Sequence, residues 1–121
     1  MAVKRKSERQ RLIEQLDALV SRKVRDRDGW RCVRCGSKNN LGAAHILPKG
    51  RYPRLRFEEY NLVTLCWLPC HEGFWHKSPV DALIWLEQKY PGRYHRLQEM
   101  AATAAKPDVK ALIAAYEDEK E

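Results

Sequence analysis

Apolar residues recur at helical spacing near the start of the chain. Leu12, Ile13, Leu16, Leu19, Val20 and Val24 fall on one face of a helix predicted over residues 7–28. Arg9, Arg11, Arg22, Arg25 and Arg27 fall on the other face, which suits either solvent or phosphates. Ser7 with Gln10 spells a capping box, and Gly29 can end the helix in the left-handed conformation. The period then shortens. Strands are predicted at 42–47 and 62–66, separated by the basic, aromatic loop KGRYPRLRFEEY. Ser78, Pro79 and Asp81 start a helix that runs to about Tyr90 and stops at Pro91-Gly92. A further helix is expected over 93–105. Pro107 opens a last one, with Val109, Leu112, Ile113 and Tyr116 on its buried side and a frayed acidic end at 117–121. Trp67, Trp75 and Trp85 are expected in the core, and Tyr52 and Phe57 beneath the basic loop.

The chain of 121 residues is long enough for one domain and short for two. It divides into a basic N-terminal helix (1–29), a cysteine- and histidine-bearing centre (30–78) and C-terminal helices (79–121). An apolar fraction of 44% suits a folded chain, and a net charge of +7 favours a polyanionic partner, of which nucleic acid is the commonest. No stretch approaches the roughly 18 apolar residues that span a bilayer, and MAVKRKSERQ lacks the apolar run of a secretion signal. A cytoplasmic setting, with no membrane partner, is therefore expected.

In a reducing compartment, four cysteines in two close pairs read as metal ligands rather than disulfides. Cys32 and Cys35 form a CxxC knuckle followed by Gly36; Cys66 and Cys70 form the second pair about thirty residues on. Four thiolates at this spacing suit tetrahedral Zn²⁺ and close its shell, which makes such a zinc structural. An iron–sulfur cluster has little to recommend it, and no thioredoxin-like pattern surrounds the CxxC. Any chemistry must then lie elsewhere. Three of the four histidines lie between the knuckle and the capped helix: His45, in the apolar stretch AAHIL, then His71 and His76. Asn61 stands at the start of the second strand. Each has a plainer alternative: a hydrogen-bonded histidine for His45, a partner of the thiolates for His71, a helix-end residue for His76, a turn residue for Asn61.

Taken in order, CxxCG, a strand His, Asn-Leu-x-x-Leu-Cys, then Cys-His and a trailing His, the segment from Cys32 to about Leu86 resembles the HNH endonucleases. Within them it looks most like small phage-encoded NinG-like proteins. The resemblance implies an α+β fold with a ββα-metal core: a two-stranded antiparallel hairpin and a four-cysteine zinc knuckle, flanked by N- and C-terminal helices. It implies that His45 is the general base, that Asn61 orients it by bonding backbone across the hairpin loop, and that His71 and His76 hold a catalytic divalent metal. Mg²⁺, Mn²⁺, Ni²⁺ and Zn²⁺ all suit such a site. The expected activity is hydrolysis of DNA phosphodiester bonds. Two departures stand out. Ala44 occupies a position where relatives carry a further ligand, and the gaps Cys66–Cys70 and His71–His76 are each one residue longer than the family's usual spacing. Lys49, Arg51, Arg54 and Arg56 would hold the DNA backbone through phosphates. Two other functions compete. One is a non-catalytic zinc-knuckle nucleic-acid-binding protein with a degenerate site. The other is a zinc-stabilised interaction module within a phage packaging or recombination complex.

Overall fold

The computed structural model describes residues 5–119. It is α+β: helices surround a two-stranded antiparallel sheet. Helix α1 spans Glu8–Arg27, and its N-terminus carries the reciprocal Ser7–Gln10 capping box. Trp30 and Gly29 turn the chain out of the helix with positive φ, 56° and 73°. Strand β1 (Leu41–His45) pairs with β2 (Leu62–Cys66), with His45 opposite Leu62 and Leu41 opposite Cys66. A segment of π-type turns follows at Trp67–His76, with Leu68 extended inside it. Then come α2 (Pro79–Lys89), α3 (Arg93–Thr103) and α4 (Val109–Asp118).

Two apolar clusters hold these elements. Leu16, Val20 and Val24 of α1 meet Ile113 of α4 and Leu62 of β2. The other side of the sheet packs Ala44, Val63 and Leu65 against Leu86 of α2, Leu97 of α3 and three of the cysteines. Every residue of β2 is buried, so this strand is a shared floor for both clusters. Burying its polar groups requires partners. Arg27 and Arg93, from opposite ends of the chain, both donate to the Leu62 carbonyl, and Arg93 lies between the rings of Tyr60 and Tyr90.

Four sequence expectations need correction. Arg27 does not sit on an open basic face; it bonds the Glu59 and Leu62 carbonyls and pairs with Asp28. Ser78 stands before α2, but its side chain makes no capping bond; its carbonyl receives the Ala82 amide instead. The last helix is capped by the Asp108 side chain, one residue after Pro107. Trp67 is 51% exposed, whereas Trp75 and Trp85 pack against the core. Tyr52 and Phe57 do pack beneath the loop. The expected fraying at 117–121 falls partly on Lys120 and Glu121, which lie outside the described residues.

Candidate functional site

The four cysteines come together from two chain turns. Cys32 and Cys35 lie on the knuckle, which Gly36 closes at φ 82° with its amide on the Cys32 carbonyl. Cys66 ends β2, and Cys70 lies in the π-type segment. Their sulfurs all lie within 4.8 Å of one another, and Cys35 Sγ is 3.6 Å from Cys66 Sγ. A tetrahedral zinc with bonds of about 2.3 Å holds its sulfurs about 3.8 Å apart, so the group fits a metal such as zinc. None of the four is bridged in a disulfide.

The surroundings act unevenly on the thiols, and burial holds Cys66 above its ordinary value. Burial pushes the Cys32 thiol up, but the amides of Cys35, Cys66 and Arg34 outweigh it and bring the pKa down to about 7. Burial pushes Cys70 up to about 12, against the pull of the Arg34 guanidinium, which donates to its sulfur at 3.4 Å. Arg34 also stacks over Phe74 at 3.6 Å, which ties the knuckle to the π-type segment.

That segment decides where two histidines point. In an α-helix, residues five apart diverge around the axis. The i→i+5 pattern of a π turn lines them up, and such turns recur at functional sites. His71 Nε2 and His76 Nε2 accordingly lie 3.0 Å apart, with ring centroids 4.6 Å apart. At that separation one ring can donate a hydrogen bond to the other. His71 Nδ1 is buried with no protein partner. Burial and the neighbouring His76 hold the His71 pKa below its ordinary value.

His45, the last residue of β1, is fixed at both ends. Its Nε2 lies 2.9 Å from the Arg56 carbonyl, an acceptor only, so Nε2 carries the proton and Nδ1 keeps its lone pair. Its own carbonyl accepts the Trp75 indole N–H at 3.2 Å. Burial lowers the His45 pKa below 6.5; the Arg56 carbonyl opposes this, and the charge on Lys49 adds to it. The ring is thus held in one tautomer, with burial favouring its neutral form.

Asn61, fully buried, precedes β2. Its side chain accepts the Leu47 amide at 2.8 Å and donates to the carbonyls of Leu47 and Leu55 at 3.0 and 3.2 Å. It therefore pins the loop between the strands from within, without touching His45. Ala44 is buried at 1% exposure. Successive strand residues face opposite sides, so Ala43 shares the His45 side and position 44 points into the core.

His45, His71 and His76 line one cleft of about 870 Å³, together with Lys49, Trp75 and Leu83. The basic loop divides. Lys49 and Arg51 are exposed, and Arg54 is exposed while donating to the Ala104 carbonyl. Arg56, expected to meet phosphate, is instead held by Asp17 of α1 in a two-pronged pair, with Nε to Oδ1 at 3.0 Å. That pair anchors the residue whose carbonyl orients His45. The sequence pattern points to neither Asp17 nor Trp75 as part of the site. Asp17 lies 39 residues from its partner, on a helix that carries other acids too, so nothing local marks it. His95, given no role, is exposed and paired with Glu99.

Among the described residues no helix is long and apolar enough to cross a membrane. No protein-family model, curated protein or solved structure matches this chain.

Proposed function

We propose that this protein is a metal-dependent endonuclease of the HNH type, with a ββα-metal core, that hydrolyses DNA phosphodiester bonds. One observation carries the reading. A histidine with its Nδ1 lone pair free shares a cleft with two histidines whose Nε2 atoms converge to 3.0 Å. A binding module has no need of that pairing. A zinc at the four cysteines would brace the ends of the β1–β2 unit and so keep the histidines in place.

In this reading His45 Nδ1 takes a proton from water as its oxygen attacks phosphorus. The P–O3′ bond breaks and the leaving 3′ oxygen takes a proton from solvent water, leaving a 5′-phosphate and a 3′-hydroxyl. Asn61 holds the loop that carries the Arg56 carbonyl, and that carbonyl holds the His45 ring. His71 and His76 would hold a divalent cation, whose charge offsets that developing on a phosphate oxygen and on the leaving oxygen. Lys49 and Arg51 would position the backbone.

The test is a plasmid-nicking assay with Mg²⁺, Mn²⁺ or Ni²⁺, followed by end analysis. Cleavage with 5′-phosphate ends is expected. DNA binding with no cleavage of any DNA form under these ions would leave the non-catalytic binding module.

A further inference from the structure

Helix α2 buries Ala82 and Leu86 but leaves an apolar strip outside. Val80 is 72% exposed, Leu83 41% and Ile84 53%. Val80 and Leu83 are not scattered surface residues, because they line the cleft that holds His45, His71 and His76. Trp75 and Tyr94 add ring surface to the same walls. Trp67, half exposed, stands edge-on to His71 with centroids 5.1 Å apart.

An intact duplex keeps the faces of its bases stacked inside and offers phosphates, sugars and groove edges. A surface built for it needs charge and hydrogen-bonding groups and has no use for an apolar wall beside the reacting centre. An unstacked base is different: it presents a flat face that gains from apolar and aromatic contact whatever its identity. The cleft volume falls within the range of about 300–1,000 Å³ that takes a molecule of nucleotide size. Lys49 lies in the same cleft to meet the phosphate, and the net charge of +7 favours a polyanion over a neutral apolar partner. A second copy of the chain docked on α2 would bury Lys49 and three histidines against apolar side chains without partners, which is costly.

We propose that the cleft seats an unpaired nucleobase against Val80 and Leu83, so that the substrate class is single-stranded or locally unpaired nucleic acid. This rests on the reading of the histidine centre as a nuclease site, but its test is a binding measurement that needs no cleavage. Three labelled probes are compared by fluorescence anisotropy without added divalent ions. They are a mixed-sequence single strand, the same strand with its central bases removed, and a fully paired duplex of equal length.

The intact strand is expected to bind about tenfold tighter than the abasic strand, which keeps every phosphate. It should also bind tighter than the duplex. Val80→Ser with Leu83→Ser should reduce intact-strand affinity to the abasic level while the chain stays folded, with a melting temperature lower by a few degrees at most, since neither side chain is buried in the core. Equal binding of intact and abasic strands, tighter binding of the duplex, or a base preference that survives the double variant would overturn the proposal. So would a dimer in sedimentation that the double variant dissociates. Base preference without cleavage keeps the base site and defeats the nuclease reading; His45-dependent cleavage without base preference does the reverse.

Discussion

The His45 ring is ordered by a backbone carbonyl and, behind it, an ion pair. Arg56 presents a backbone carbonyl rather than its charge, and Asp17 neutralises the Arg56 guanidinium. The charges facing His45 are Lys49 from the loop, the Asp17–Arg56 pair, and His71 from the π-type segment. Burial and Lys49 favour the neutral imidazole, so its folded pKa lies below 6.5. Proton acceptance requires that neutral form. Cleavage should therefore be fully present at pH 7 and be lost as pH falls through the folded pKa. A single-turnover pH profile should place the acid limb below 6.5, and a limb above 7 would show a different group in control. Asp17 acts on this ring through Arg56. Its pair is about one-third exposed, so Asp17→Ala should cost no more than about 1 kcal/mol of stability. The loosened carbonyl should nonetheless lower kcat about tenfold with little change in KM, because small misplacements cost rate steeply. A KM effect alone would argue that Asp17 and Arg56 serve substrate binding.

Among the elements, those with strong local signals are legible in the sequence. The capping box places the start of α1 within one residue, and the apolar runs locate β1 and β2 to within one or two residues. The cysteine pairing is legible too, because CxxC and its partner pair are local patterns. The π-type segment is not. A five-residue gap between His71 and His76 looks unfavourable on an α-helix, and no propensity marks a π turn. The Asp17–Arg56 pair is hidden for another reason: a loop rich in Lys and Arg reads alike whether each cation is free or paired across the fold. The alternation of β1 likewise decides that position 44 faces the core, which a ligand motif alone does not reveal. Removing zinc should act through these elements. Cys32→Ser should partly unfold the β1–β2 unit, with a large fall in melting temperature, since metal binding contributes to folding. Metal analysis of the parent should find one tightly held zinc per chain, and a Cys32→Ser variant that melts like the parent would contradict the knuckle.

For the whole molecule, charge and shape divide the work. In the proposed function the net charge of +7 would favour a polyanion, and the cleft would select what reaches the histidines. With Arg56 engaged by Asp17, Lys49 and Arg51 are the loop cations exposed without a hydrogen bond or ion pair among the described residues. Nucleic-acid affinity should fall steeply with salt, and Lys49→Ala with Arg51→Ala should reduce the slope of log K against log[salt] by about two. An unchanged slope would place the phosphates on the α1 arginines instead. The most direct measurement is single-turnover cleavage of the preferred substrate by the parent and by His45→Ala, at equal nucleic-acid occupancy and with the same divalent ion. If His45 is the base, the variant binds nucleic acid and melts as the parent does, yet its cleavage falls by at least about a hundredfold. Cleavage by His45→Ala at the parent's rate would contradict the proposed catalytic centre.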